Sequence, residues 1–302
     1  MGKRYFIFFL CTIIFLVILS ICVIVFSNTN DDKLKDKLEE EISYVETKLL
    51  GMINAINNIP FSNSILLEQN SIKGQSKSNS DSSSQGSDSG GGTSGNGSSS
   101  DSRDLSSSED NSKTTDYTKY NIENQNILIN AEKEMDWDYM KNTVEVLYSS
   151  WPTIMIDLHS ANIKNEDVLG FSNNLDGLII NIESEDKKAT LNTLAILYSY
   201  LPIYIQQFSQ DTDKVNVQYT KASIVNAYVL LEEDKWDDMQ VEVAKANDYF
   251  NLIINSVKED RKQNCISKTY VLVNEMDNAI KLKDKKLFYL KYINLMESAM
   301  NI

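Results

Sequence analysis

Apolar residues recur at alternating steps of three and four along four stretches in the second half of the chain. This spacing puts the apolar side chains on one face of an α-helix, where they form a core stripe. The pattern therefore predicts four amphipathic helices. Their stripes are Trp137, Met140, Val144, Leu147, Trp151, Ile154 and Leu158; Leu194, Leu197, Leu201, Tyr204 and Phe208; Trp236, Met239, Val243, Ala246, Phe250, Ile253 and Val257; and Phe288, Tyr292, Leu295, Ala299 and Ile302.

These stripes repeat with a period of 49–50 residues. The segment Leu147–Pro152 recurs fifty residues later as Leu197–Pro202, and Trp137 has a counterpart in Trp236. Polar joints separate each first helix from a second one, so each repeat is predicted to be an antiparallel pair. The fold class is therefore all-α, either a short α-solenoid or an elongated helical bundle. The second helices are predicted over Glu166–Glu183, Val215–Glu232 and Asn264–Leu282.

Two prolines, Pro152 and Pro202, occupy equivalent places in the first two of these helices. A proline inside a helix removes one hydrogen bond and costs about 3 kcal/mol. Its occurrence twice in register predicts a shared kink. The alternative is that each long helix is two helices, broken before the proline.

A different pattern marks the N-terminus, where residues 6–26 are almost wholly apolar and uncharged. About 20 apolar residues cross a hydrocarbon core of about 30 Å as a helix. Lys3 and Arg4 precede the stretch and acidic residues follow it. The bias of basic residues towards the cytoplasm then predicts a single-pass signal anchor, with residues 1–5 as a cytoplasmic stub and the C-terminal part extracytoplasmic.

Two alternatives to this anchor remain open. A cleaved signal peptide has a shorter apolar core and ends at small residues, whereas this stretch ends at Phe26 and Ser27. The segment Leu19–Cys22 resembles a lipobox, in which Cys22 would carry lipid. A lipobox has a small residue before its cysteine, and Ile21 is not small.

Residues 31–60 show the same three-four stepping and predict a juxtamembrane helix ending at Pro60. One hypothesis makes this helix the first helix of an additional repeat, with Ile122–Met135 as its second. The competing hypothesis is a short juxtamembrane coiled coil that gives a weak homodimer. The apolar positions are Ile42, Val45, Leu49, Met52, Ile56 and Ile59.

Between these parts, residues 71–116 are rich in serine and glycine and nearly free of large apolar residues. Such a segment buries too little apolar surface to offset the entropy of ordering, so it is predicted to be a disordered linker. The helical repeat domain is predicted to follow over residues 118–302.

The formal net charge of −14 argues against nucleic acid as a partner, because phosphate binding needs a basic surface. It equally disfavours adsorption to an anionic lipid leaflet. Cys265 is the only cysteine after residue 22, so no internal disulfide is expected in the C-terminal part, and His159 stands in no recognisable motif. We therefore predict no metal and no cofactor.

Stacked helix pairs of this kind resemble α-solenoid proteins of the tetratricopeptide and HEAT types, although the period is longer and the tetratricopeptide signature is absent. The Asp-Trp openings, the Leu-Tyr-Ser-x-x-Pro segments, the anchor and the serine-rich linker together resemble membrane-anchored or lipoprotein-like helical proteins of clostridia and other Firmicutes. Neither resemblance implies a specific activity.

The sequence therefore favours a non-enzymatic protein-interaction scaffold at the cell envelope, with another envelope protein as its partner. The alternative is an extracytoplasmic sensory or small-ligand-binding helical bundle. No glycine-rich phosphate loop, nucleophile elbow or HExxH motif is present, so we predict that the chain is not an enzyme. The candidate partner-binding residues are Tyr148, Tyr198, Tyr200 and Tyr204.

Overall fold

The structure, a computed structural model, describes residues 32–59, 133–254 and 260–302, apart from the side chains of residues 260–262. Eight α-helices make up most of these residues, and no strand occurs among them. The all-α prediction is thus confirmed. The predicted stub at 1–5, anchor at 6–26 with Cys22, and linker at 71–116 lie outside the described residues.

None of the helices in the described ranges combines the length and the apolar composition that a membrane crossing requires. In chain order the helices are α1 (32–55), α2 (Trp137–Ser160), α3 (Asn165–Glu183), α4 (Lys187–Phe208), α5 (Thr212–Leu231), α6 (Trp236–Asn251), α7 (Asp260–Leu282) and α8 (Lys285–Ala299).

The even-numbered helices begin at regular intervals, at residues 137, 187, 236 and 285. Asp136, Asp186 and Asp284 precede three of them, and each carboxylate accepts a hydrogen bond from a backbone N–H in the first turn. An N-cap of this kind stabilises a helix by about 1 kcal/mol. Lys235 stands at the fourth start and makes no such bond.

Both interior prolines lie inside continuous helices, Pro152 in α2 and Pro202 in α4. Each is the sixteenth residue of its helix. The alternative that these helices break before the proline is therefore wrong.

Helix α6 is shorter than the stripe from Trp236 to Val257 predicts, because it ends at Asn251. The backbone then tightens, since Leu252 and Ile253 donate to carbonyls only three residues back. Ile253 is nonetheless fully buried from this turn. The apolar spacing therefore continues past the end of the helix, and Val257 lies outside the described residues.

Five helix ends close with a residue at positive φ, between 48° and 60°, and none of these residues is glycine. In these turns a backbone N–H reaches back five residues, as from Ile163 to the Leu158 carbonyl at 3.0 Å. This is the Schellman arrangement, which satisfies the last carbonyls of a helix. The residues are Asn58, Asn162, Glu185, Asp234 and Lys283.

Burial differs among the helices. Helices α2, α3, α6 and α7 each keep an exposed face. By contrast, no residue is exposed between residues 41 and 59 or between residues 213 and 233, all of which the structure describes. Helix α1 from residue 41 onward and helix α5 from residue 213 onward therefore have no exposed face.

Contacts along α1 define its direction. Lys37 contacts Asp157 and Tyr44 contacts Ser150, so α1 runs antiparallel to α2. The contacts between α1 and α4 show the same antiparallel order, because later residues of α1 contact earlier residues of α4. Contacts with α5 ascend, from Lys214 near the start of α1 to Glu232 near its end, so α1 and α5 are parallel.

This direction corrects the hypothesis that α1 is the first helix of an additional repeat. A first helix would run parallel to α2 and α4, whereas α1 has the direction of the second helices. In addition, residues 133–135, the last three of the proposed second helix Ile122–Met135, are not helical.

Helix α8 closes the other side of the bundle. It packs on α7, where the hydroxyls of Thr269 and Ser298 lie 2.8 Å apart in the interior. It also reaches α5, where the rings of Tyr228 and Tyr292 have centroids 4.8 Å apart. All described residues belong to one compact unit.

Candidate functional site: the groove that holds helix α1

Helices α2, α4 and α5 form a surface, here called the α1 groove, in which α1 lies. Nine large apolar residues of α1 and the turn after it are nearly or fully buried. Each such side chain contributes roughly 1.5–3 kcal/mol by leaving water. They are Leu38, Ile42, Val45, Leu49, Leu50, Met52, Ile53, Ile56 and Ile59.

A charged cluster lies inside this groove. Glu46 of α1 is 6% exposed, and its Oε1 accepts a hydrogen bond from Lys221 Nζ at 2.7 Å. The same oxygen accepts from Gln218 Nε2 at 3.0 Å and from the hydroxyl of Tyr198. Lys221 and Gln218 belong to α5 and Tyr198 belongs to α4. We call these four residues the Glu46 cluster.

The stability of the Glu46 cluster depends on the balance between desolvation and charge attraction. Both charged groups have left water, and the attraction between them offsets this desolvation only if both are present and well bonded. Burial, together with the Glu46 carboxylate, holds the pKa of Tyr198 well above its ordinary value. The tyrosine hydroxyl therefore stays neutral and acts as a donor.

A second polar group, here called the Asn57 network, lies three helical turns further along. Asn57 Nδ2 donates to the hydroxyl of Tyr228 at 2.7 Å and to Glu232 Oε1 at 2.8 Å. Lys187 Nζ donates to Asn57 Oδ1 at 2.8 Å, and the hydroxyl of Tyr289 donates to Glu232 at 2.9 Å. The network thus joins α1 to α4, α5 and α8.

The beginning of α1 is held by ion pairs nearer the surface. Lys37 Nζ lies 2.5 Å from Asp157 Oδ2 of α2, and Glu39 pairs with Lys214 of α5 at 2.6 Å. Glu41 also faces Asp157. Burial, reinforced by that neighbouring carboxylate, raises the pKa of Glu41 to about 7.

At the other end of α1, the turn that follows it contacts the irregular segment that leads into α2. The Asn58 side-chain amide donates to the carbonyls of Lys133 and Glu134, at 2.9 and 3.2 Å. The chain between residues 59 and 133 therefore leaves and re-enters the described domain at neighbouring points.

The four predicted partner-binding tyrosines are not brought together on one surface. Tyr148 is 46% exposed on α2. Tyr198 is in the Glu46 cluster, and Tyr204 is buried with its hydroxyl donating to the Asp167 carbonyl at 3.1 Å. Tyr200 is half-buried and stacks on Tyr204, with ring centroids 6.0 Å apart. Only Tyr148 presents its ring to solvent, and a partner role for it stays a prediction.

The sequence reasoning missed Glu46 and Lys221. Glu46 is adjacent to the core residue Val45 but lies off the predicted stripe. A signal for its partner exists, since Lys221 is the only charged residue between Lys214 and Glu232. A lone charge within a long uncharged helix indicates either a functional group or an interior ion pair.

The other polar features give weaker indications of a functional site. His159 is exposed in the last turn of α2. Within the described ranges, no group of three or more His, Cys, Asp or Glu residues is placed to hold a metal ion. A shallow depression of about 270 Å³ lies where the α5–α6 and α7–α8 turns meet. It is lined by Asp234, Lys235, Trp236, Asp237, Asp238 and Lys283.

Glu46 of α1 and Asn57 of the turn after it thus bond to side chains of other helices and fix the position of α1 in the α1 groove, whereas the buried Asn54 amide has no hydrogen-bond partner. When the chain is compared with models of protein families, with curated proteins and with solved structures, nothing matches.

Proposed function

We propose that this protein is a membrane-anchored, extracytoplasmic helical module that acts by binding another envelope protein and not by catalysis. The observation that carries the proposal is the enclosure of α1. This helix starts at residue 32, close behind the apolar stretch 6–26, and from residue 41 onward it has no exposed face. An anchor at 6–26 would therefore hold the domain itself against the membrane.

The distance follows from the chain length. Residues 27–31 separate the apolar stretch from α1, and a fully extended chain spans at most about 3.3–3.6 Å per residue. The start of α1 would thus lie within about 20 Å of the lipid. The end of α2 and the start of α5 would face the membrane with it, because Asp157 and Lys214 pair with the first turns of α1.

Two further features support a binding role. The regular starts of α2, α4, α6 and α8 fit a helical repeat, and repeat proteins commonly bind partners through surfaces shared by several helices. The buried charged side chains pair with one another in the α1 groove. The exposed side chains then supply the binding surface, and Tyr148 is the candidate aromatic on it.

Labelling of intact cells tests the anchor and its direction. Asn173 is exposed on α3, so we would replace it with cysteine in the full chain carrying Cys265→Ser. A membrane-impermeant maleimide should label this variant on intact cells, and alkaline washing should leave it in the membrane fraction. Labelling only after lysis would overturn the extracytoplasmic placement.

Site-specific cross-linking tests the binding role. A photoreactive aromatic residue in place of Tyr148 should give an adduct with the same envelope protein in repeated preparations from native membranes. The matched control carries the same group in place of the buried Tyr204 and should give none. Absence of any adduct from position 148 would count against Tyr148 as the contact.

A further inference from the structure

The side of α3 that faces away from the core carries a regular row of exposed side chains, here called the outer stripe. Its members are separated alternately by three and four residues, so they lie in line along about 26 Å of helix. This is the spacing that one helix presents to another when the two pack side by side. The outer stripe is Glu166, Leu169, Asn173, Asp176, Ile180 and Glu183.

A glycine beside the outer stripe leaves open space. A Cβ on Gly177 would meet nothing within 4 Å, so no neighbouring group of the described domain requires a glycine here. The backbone at Gly177 is ordinary helix, which every residue type except proline adopts readily. Glycine weakens a helix interior, and its usual structural reason is the close approach of another molecule or chain segment. The fold of the domain itself does not supply that reason.

Helix α4 borders this open space. Helices α3 and α4 run antiparallel, and their register is fixed where Asn181 Nδ2 donates to Thr193 Oγ1 at 2.9 Å. Counting four residues back along α3 and three forward along α4 brings Gly177 level with Ile196. Ile196 is 48% exposed, and Ile180, one turn after Gly177, is 63% exposed. We call the space above Gly177, between these two isoleucines, the α3–α4 notch.

The charges around the α3–α4 notch have one sign. Helix α3 contains four acidic residues and no basic residue. The chain from Ala189 to Gln210, which includes nearly all of α4, is uncharged. Asp176 and Glu183 are exposed on either side of Ile180 in the outer stripe. A helix with an apolar side chain in the notch therefore meets carboxylates on its flanks, and lysine or arginine at those positions complements them.

We propose that the outer stripe and the α3–α4 notch bind a basic amphipathic helix of a partner protein. One large apolar residue of that helix fills the notch above Gly177, and a second, eleven residues away, contacts Leu169. Lysine or arginine residues beside them face Asp176 and Glu183. This inference rests on the proposed binding role, for which it names a surface and a class of partner.

Fluorescence anisotropy of a defined probe, with the full chain in a non-ionic detergent, tests the proposal. The probe is an alanine-based helix of about 18 residues with two leucines spaced like Leu169 and Ile180 and lysines beside them. A control probe has glutamate in place of each lysine. We expect saturable binding of the lysine probe, weakened by added salt, and at least about tenfold weaker binding of the glutamate probe. Equal binding of both probes, or no saturable binding of the lysine probe, overturns the proposal.

Gly177→Leu distinguishes the notch from a general attraction between opposite charges. The new side chain fills the notch, leaves every charge in place and displaces no neighbour, so the domain should keep its fold. Binding of the lysine probe should nevertheless fall about tenfold or more, and Ile180→Ser should cause a similar loss. The matched control is Ile156→Ser on α2, because Ile156 and Ile180 are both 63% exposed. Unchanged affinity in the Gly177→Leu chain would mean that the probe binds elsewhere, and the proposal would fail.

The cross-linking from position 148 then separates this proposal from the binding role on which it rests. We expect Gly177→Leu and Ile180→Ser to reduce the yield of the envelope-protein adduct about tenfold, and Ile156→Ser to leave it unchanged. If the adduct forms equally well in all three chains, the binding role stands and the α3–α4 notch is not its surface.

Discussion

One carboxylate oxygen of Glu46 accepts hydrogen bonds from three donors, and these donors belong to two other helices. We predict that Glu46→Gln lowers the free energy of unfolding by about 3–5 kcal/mol, because it leaves the Lys221 ammonium buried without a counter-charge. Urea denaturation followed by circular dichroism measures the loss.

The double variant Glu46→Leu with Lys221→Met is the control for this prediction. It removes both charges and keeps apolar volume, so it should recover most of the lost stability. If the single variant were as stable as the natural chain, the ion pair would be absent in solution.

Residue-level prediction from the sequence reached the apolar positions but not these polar ones. All six predicted apolar positions of α1 are buried, as the three-four spacing indicates. Periodicity detects one apolar face, however, and α1 has no exposed face from residue 41 onward. The partners of Glu46 lie more than 150 residues away in the chain, so no local pattern pairs them with Glu46, although the isolated charge of Lys221 marks that residue as unusual.

At the scale of elements, two glycines of α3 differ in their surroundings. A Cβ on Gly177 would meet nothing within 4 Å, whereas a Cβ on Gly170 would lie 2.3 Å from the Tyr200 hydroxyl. We predict that Gly177→Ala stabilises the domain by about 0.5–1 kcal/mol, because alanine favours helix. Gly170→Ala should lack this gain or destabilise, since the Tyr200 ring must leave its stack on Tyr204.

Thermal unfolding of the two variants side by side checks the comparison. The same substitution in the same helix makes each the control of the other. An equal gain from both would mean that α3 and α4 do not approach as closely as the position of Tyr200 requires.

The α1–α2 contact should respond to pH through Glu41, whose pKa is raised to about 7 by burial and by Asp157. Between its unfolded value of 4.5 and about 7, the folded state binds this proton more tightly than the unfolded state does. Stability from Glu41 is therefore largest on the acid side and falls as the pH rises through this window. Lys37 is the cation facing the pair and opposes the effect.

Glu41→Gln should remove the Glu41 part of this slope, as measured by urea denaturation across the same window. Glu297 of α8, whose pKa is also raised by burial, acts in the same direction and stays in the variant. An unchanged slope in the variant would show that Glu41 does not titrate in this window.

Element boundaries were predictable wherever local signals agree. Asp136 directly precedes the predicted stripe that begins at Trp137, and the structure uses it as a cap. By contrast, α4 begins at Lys187, seven residues before its predicted stripe at Leu194. The end of α6 was not predictable, because Ile253 keeps the helical spacing while it is buried from a turn.

At the scale of the whole molecule, the contact of Asn58 with Lys133 and Glu134 makes residues 60–132 an insertion between two neighbouring points. We predict that replacing these 73 residues with about eight Gly/Ser residues raises the free energy of unfolding by about 2 kcal/mol, because closing a shorter loop loses less entropy. Denaturant titration measures the change.

A Gly/Ser replacement of the original length is the matched control and should equal the natural chain in stability. A loss of more than about 1 kcal/mol in either variant would contradict the prediction, since it would mean that the replaced residues contribute contacts of their own.

The arrangement of helices in space was the least predictable part. The spacing indicated helical pairs, but it did not indicate that α1 occupies the middle of them or that it runs opposite to α2 and α4. Direction is set by contacts such as Lys37 with Asp157 and Asn57 with Lys187, which join residues more than 100 positions apart.

The direction of α1 also determines how the domain resists mechanical load. A pull on the residues before α1 acts along the axis of this helix, while α2, α4 and α5 contact it on several sides. The ion pairs at its start, the Glu46 cluster and the Asn57 network are then loaded together, in shear, instead of opening one after another. We therefore expect the bundle to resist tension applied at its N-terminal end.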